Sequence, residues 1–187
     1  MKKMRKIKLL LCMLRMLPIL PGVRWSDEYL FKDLSRWKEI QHIETNNLVT
    51  LAILLWEKPE FRNLFIYRNR YRRIYRYWIG FWYRPMDTLY IQAREIGGGL
   101  YIQHGFATMI SAESIGENCW INQQVTIGYN GAGKPPVIGN NVMIACGAKV
   151  LGSIKIGDGV VIGANAVVIR DVEPGMVMGG IPARRIK

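Results

Sequence analysis

The sequence predicts a mainly β protein, a parallel β-helix preceded by an α-helical N-terminal domain. Three observations carry that expectation. From Ile96 an aliphatic residue returns at every sixth position: Ile96 and Ile102, then after a one-residue slip Met109, Ile115, Ile121 and Ile127. After a longer detour the series resumes with Ile138, Ile144, Val150, Ile156, Ile162 and Val168. So short a period marks a solenoid in which each hexad is one short strand plus a corner. Second, six of these twelve residues are followed directly by glycine, which takes the corner conformations that a β-carbon resists. Third, the charge breaks in the middle. Residues 1–86 hold 18 Lys and Arg against 7 Asp and Glu, and residues 87–187 hold 8 against 7, so the net charge of +12 belongs almost wholly to the first half. We therefore place a domain boundary at 86/87.

In the first half, residues 1–22 have a basic start and an apolar core, Leu9 to Leu14, interrupted by Arg15. No small-x-small cleavage site follows, and the stretch is too short and too charged to span a bilayer. It reads as an amphipathic helix, packed on a neighbour or lying on a membrane surface. Residues 26–41 form the next helix, with Ser26 as N-cap, Asp27 and Glu28 in the first turn, and Tyr29, Leu30, Leu34, Trp37 and Ile40 at helical spacing. A helix from Asn47 to Glu57 ends at Lys58-Pro59, and Pro59 opens another. From Phe61 to Arg84 seven arginines interleave with ten aromatic residues. That stretch fits helix packing with arginine stems on ring edges, or contact with an anionic membrane surface. Single-strand nucleic-acid binding is a third use of such a mixture, but no nucleic-acid motif accompanies it, and we expect no nucleic-acid partner.

The coils begin around Leu89 to Gln92. Strict period fails between Ile102 and Ile115, beside His104 in Gln103-His104-Gly105, and again at Tyr129 to Val137, whose Gly and Pro force a loop out of the helix. Regular hexads run to about Val172 and a closing tail follows. The cysteines, Cys12, Cys119 and Cys146, have no metal-ligand spacing and are odd in number, as in a reducing, cytoplasmic compartment.

At QHGFA, INQQVTIG, IGNNVMIACGAKVLG, IGANAVV and GIPARR the chain resembles the serine acetyltransferase-like branch of the left-handed β-helix hexapeptide-repeat acyltransferases. The resemblance covers residues 87–187 closely and the helical half in general character only. It implies a left-handed helix, a homotrimer with acetyl-CoA as co-substrate in the cleft between neighbours, and direct transfer to an acceptor hydroxyl. His104 matches the catalytic histidine. An alcohol is a poor nucleophile at neutral pH, and an imidazole within reach can take its proton. Cys146 and Ala164 match positions along the pantetheine arm, with Ala145 and Gly128 nearby; Arg184 and Lys187 match basic positions at the nucleotide end. His42, the only other histidine, sits at a helix end and reads as structural. Two separated histidines argue against a zinc hydratase of the same fold, so we expect no metal.

The acceptor side departs from the serine enzymes. Their histidine follows an Asp, and another Asp lies some fifteen residues upstream; here those positions are Gln103 and Leu89. Their loop carries Arg-His before a proline; here it reads Lys134-Pro135. Glu113 is the expected group to orient the imidazole, with Glu95 or a backbone carbonyl as alternatives. Gln103, Gln123 and Lys134 are the candidate acceptor-binding residues; Lys134 is the one cation left of the serine-binding set, while Gln103 and Gln123 with Asn122, Gln124, Tyr129 and Asn130 are neutral groups that suit a polyol. The expected function is thus acetyl transfer to a sugar of a capsule or exopolysaccharide precursor, in the cytoplasm or at the inner membrane surface, with membrane contact through residues 1–20 and 61–84. The alternatives are serine O-acetylation and a non-enzymatic binding protein on the same scaffold.

Overall fold

The computed structural model describes residues 2–187, with side chains from residue 6 on; the N-terminal expectation for Met1 and the side chains of residues 2–5 lies outside the described residues. The chain divides into two compact units, residues 1–86 and 87–187.

Among the described residues five α-helices build the first unit: α1 (Lys2–Met16), α2 (Glu28–Gln41), α3 (Asn47–Glu57), α4 (Pro59–Arg68) and α5 (Arg73–Trp82). The cap of α2 is Asp27 rather than the expected Ser26, because its carboxylate accepts from the N–H groups of Tyr29 and Leu30. At the other end His42 takes the left-handed conformation at φ 52°, closing the helix with N–H bonds back to Glu39 and Lys38. The core gathers Trp37, Leu51, Leu54, Leu55, Phe61, Leu64 and Tyr83. Asp33 and Arg68 form an enclosed two-pronged ion pair at 2.8 and 3.0 Å, with side chains only 2% and 6% exposed. The arginine-aromatic stretch serves two purposes. Phe61, Phe65, Tyr67, Ile79 and Tyr83 are buried, while Ile74, Tyr77, Trp78 and Phe81 face outward.

The second unit is a left-handed parallel β-helix of about five turns with three faces. Face A stacks β1 (Leu89–Ile91), β4 (Thr108–Ile110), β7 (Thr126–Gly128), β10 (Lys149–Leu151) and β13 (Val167–Val168). Face B stacks β2 (Glu95–Ile96), β5 (Ser114–Ile115), β8 (Val137–Ile138) and β11 (Lys155–Ile156). Face C stacks β3 (Tyr101–Ile102), β6 (Trp120–Ile121), β9 (Met143–Ile144), β12 (Val161–Ile162) and β14 (Val177–Gly179). The closing tail adds β15 (Arg184–Arg185), which pairs antiparallel with β14. The chain visits A, B and C in turn, so each coil turns three edges.

Inside the shaft, Ile96, Ile102, Ile110, Ile115, Ile121 and Ile127 are all nearly inaccessible. The expected register fails at one place. Met109 is 43% exposed, and Ile110, paired with Ile127, fills the shaft instead. On the edge between faces B and C glycines stack on one another. A β-carbon on Gly116 would lie 2.6 Å from the backbone of Gly139, and one on Gly97 would lie 2.7 Å from that of Gly116. The extruded loop leaves the edge between faces A and B, where the Ser153 hydroxyl accepts from Lys134 N–H at 2.7 Å and donates to its carbonyl at 3.0 Å.

Candidate active site

The edge between faces C and A carries most of the predicted site. At its His104 corner, Ile110 follows Ile102 by eight positions, whereas their partners Ile127 and Ile121 are six positions apart. Two residues are therefore inserted here, where a one-residue slip was expected. Gln103 N–H donates to Ile121 O at 2.9 Å and Gln124 N–H to Phe106 O at 3.0 Å, so the inserted pair is His104-Gly105. The enlarged corner needs two left-handed residues, His104 at φ 61° and Ala107 at φ 51°, and the Phe106 N–H turns back to the His104 carbonyl. Each non-glycine residue held there costs about 1 kcal/mol, which the ladder bonds on either side offset. The result is an imidazole carried outward on an exposed residue, while Gly105 beneath it is buried.

Above His104 the same edge rises through equivalent corners. Asn122-Gln123-Gln124, Ala145-Cys146-Gly147 and Gly163-Ala164-Asn165 are joined by Gly147 N–H to Gln123 O at 3.0 Å and Asn165 N–H to Cys146 O at 2.9 Å. Gly180 to Ala183 cap the column through bonds with Val167, and Arg184 follows. Above the glutamines the side chains are small, so an extended ligand can approach the backbone. Coils rise by one strand spacing, so the four steps from His104 to Arg184 span about 19 Å.

The polar groups around His104 are amides. Gln103 Oε1 accepts from Trp120 Nε1 at 3.3 Å. Asn122 Oδ1 and Gln123 Oε1 are buried and have no hydrogen-bond partner among the described residues, so both can receive a ligand's O–H or N–H. Lys149 Nζ donates to Gln124 O at 2.7 Å, bringing a cation to the same corner. One carboxylate sits on this edge that the sequence reading did not single out. Leu89 pairs with Thr108, which sets Asp87 one coil below Phe106 in the turn before β1. Asp87 lies one full nineteen-residue coil before Phe106, and so seventeen residues, rather than fifteen, before His104. Leu89 itself is 4% exposed and belongs to the shaft.

Four predicted residues lie elsewhere. Glu113 is at the edge between faces A and B, bonded to Arg94 at 2.8 Å, so within one chain face A separates it from His104. Gly128 ends β7 at that edge, and Lys134 is in the loop that leaves it. Lys187 is drawn back across face C by its carbonyl's bond from Val177 N–H at 3.1 Å and does not join Arg184 on the column. Among the described residues no group of three His, Cys, Asp or Glu converges on a potential metal site.

A three-sided coil whose one histidine stands on an expanded corner defines the class as a hexapeptide-repeat transferase. The family model of the bacterial transferase hexapeptide (six repeats) matches residues 135–170. A serine acetyltransferase of Synechococcus elongatus is 46% identical over 96 residues, covering 49% of this chain and 39% of that protein. The soybean serine acetyltransferase complexed with serine superposes with a TM-score of 0.64 at 30% identity, covering 86% of this chain and 71% of that one. The Neisseria gonorrhoeae serine acetyltransferase in complex with serine gives 0.64 at 26% identity, covering 86% and 68%. The chain belongs to the serine acetyltransferase-like branch of the left-handed β-helix hexapeptide-repeat acyltransferases. It spans about half the length of the curated relatives it matches.

Proposed function

We propose that the protein is an acetyl-CoA-dependent O-acetyltransferase in which His104 is the general base. The observation that carries this reading is the expanded corner that holds His104 outward at the foot of a column of small residues. The pantetheine arm is built of amide units like a peptide and spans about 15 Å when extended. That length fits the climb from His104 past Cys146 and Ala164 toward Arg184, whose guanidinium meets phosphate. The imidazole takes the acceptor's hydroxyl proton as its oxygen attacks the thioester carbonyl, and the imidazolium returns that proton to the departing thiolate. Asp87, one coil below, is the positioning group in place of Glu113.

The site is completed between copies. Its residues divide between two edges that a single prism holds apart. A heterologous threefold ring, with the His104 edge of one copy against the loop edge of the next, unites them. The outward residues support this. Trp120, Met143, Val161 and Val177 on face C are all apolar, whereas face B mixes Glu95, Ser114 and Lys155 with Val137. The three free cysteines support a reducing, cytoplasmic setting.

For the acceptor, the comparisons favour L-serine, the alternative, over the capsule sugar that the sequence put first. Lys149, and Lys134 from a neighbouring copy, offer cations for the carboxylate of serine. One observation favours a polyol: the buried, unpartnered oxygens of Asn122 and Gln123, which suit neutral hydroxyls. Thiol release from acetyl-CoA, followed with L-serine and with a panel of sugars, separates the two. Turnover with serine is expected. Turnover with sugars alone reverses the acceptor, and none with any hydroxyl compound, despite tight CoA binding, establishes a binding protein. His104→Ala is expected to lower kcat by at least about a hundredfold while CoA still binds; near-full activity in that variant removes the general base.

A further inference from the structure

We propose that the helical unit docks on an anionic lipid surface through an apolar face made jointly by α5 and the end of α1. Along α5, Ile74, Tyr77, Trp78 and Phe81 follow the i, i+3, i+4, i+7 spacing of one helix face. All four face solvent, with Ile74 88% and Phe81 76% exposed. The opposite side of α5 is tied down, with Ile79 buried and the Tyr75 hydroxyl donating to Ile19 O at 2.7 Å. Two further bonds bring α1 alongside. Trp78 Nε1 donates to Pro18 O at 2.9 Å, and the Arg15 guanidinium donates to Trp82 O at 2.7 Å. Leu14 and Leu17, both more than half exposed, thereby extend the apolar face.

Charge selects the occupant. α1 holds six Lys and Arg and no Asp or Glu, and residues 61–84 hold seven arginines and no acid. Arg73 and Arg76 lie on α5 itself, beside the exposed rings. A second copy docked face to face would set these cations against one another. A nucleic acid would stack on the rings but has no use for Ile74, Leu14 and Leu17. An anionic bilayer satisfies all three components. Acyl chains take the aliphatic residues, the interface takes Trp78 and Tyr77, and acidic headgroups take the arginines. No helix among the described residues is long and apolar enough to cross a membrane, so the contact proposed is lateral. This inference does not depend on the acetyltransferase reading.

The test is co-sedimentation of the full chain with vesicles of phosphatidylcholine alone and of phosphatidylcholine with phosphatidylglycerol. Binding to the anionic vesicles about tenfold or more above the neutral ones, weakened by salt, is expected. Ile74→Ser with Phe81→Ser should abolish it with an unchanged thermal transition, since both residues are exposed. Arg73→Gln with Arg76→Gln should remove the preference for anionic lipid. Absence of binding to anionic vesicles, or equal binding to both kinds, overturns the proposal. So does dissociation of a lipid-free oligomer by the serine variant when wild type ignores vesicles, which would assign the face to a second copy.

Discussion

At the scale of single residues, the protein sets reactive groups apart by where the solenoid puts them. Cys119 lies in the shaft, and burial pushes its thiol up to about 11 from an ordinary value near 9. Cys12 is buried beside α3 and is raised for the same first reason. Cys146, half-exposed, stands on the column above His104. Alkylation of the native protein near pH 8 should therefore modify Cys146 and spare the other two, and saturating CoA should slow that modification. Mass spectrometry of the digest reads both, and equal labelling of Cys119 would contradict the burial argument. The Cys119 shift also carries a pH dependence. Its folded pKa exceeds the unfolded one, so its stabilisation is complete below about pH 9 and is lost as pH rises toward 11. Asp87→Asn tests the carboxylate beneath the histidine. A positioning role lowers kcat and shifts the pH profile with little change in KM, whereas contact with the acceptor's ammonium group raises KM for serine and spares other acceptors.

At the scale of elements, two devices hold the structure and each has a characteristic failure. The glycine ladder on the edge between faces B and C leaves no room for a side chain. Gly116→Ala drives a β-carbon to 2.6 Å from Gly139 backbone atoms, which cannot yield without opening a coil. A loss of about 3 kcal/mol or more is expected, read as a lower denaturant midpoint. In the helical unit the Asp33–Arg68 pair is sequestered from water, so Asp33→Ala strands a buried guanidinium and should cost about 3–5 kcal/mol. The boundary between α3 and α4 was legible because the Lys58-Pro59 break acts locally. The cap of α2 was misplaced by one residue because Ser26 and Asp27 have similar propensities, and only the hydrogen bonds distinguish them. The histidine corner was located but its size was misjudged. Met109 and Ile110 are both aliphatic, and sequence cannot say which one enters the shaft.

At the scale of the whole molecule, the proposed reaction requires several copies. Within one chain His104 and Gln123 are on one edge, and Lys134 and Gly128 are on another. Sedimentation equilibrium should find a trimer. Mixing subunits that carry His104→Ala with subunits that carry Lys134→Ala should restore part of the activity, since one of the mixed interfaces recovers an intact pair. Mixtures no more active than their components would mean that each chain works alone.

Periodicity alone determined the solenoid, because an aliphatic residue every sixth position and a small one after it have a single economical packing. The motifs around that period also singled out His104 and the column above it. What only the tertiary structure decided is which residues share an edge. Coil length varies at the two irregular corners, so distance along the chain ceases to report distance in space. Glu113, nine residues from His104, is a face away, and Asp87, seventeen residues back, lies on the same edge. The outward turn of Ile74 and Phe81 was hidden for a related reason: an arginine-aromatic helix has the same composition whether its rings fill a core or face a membrane.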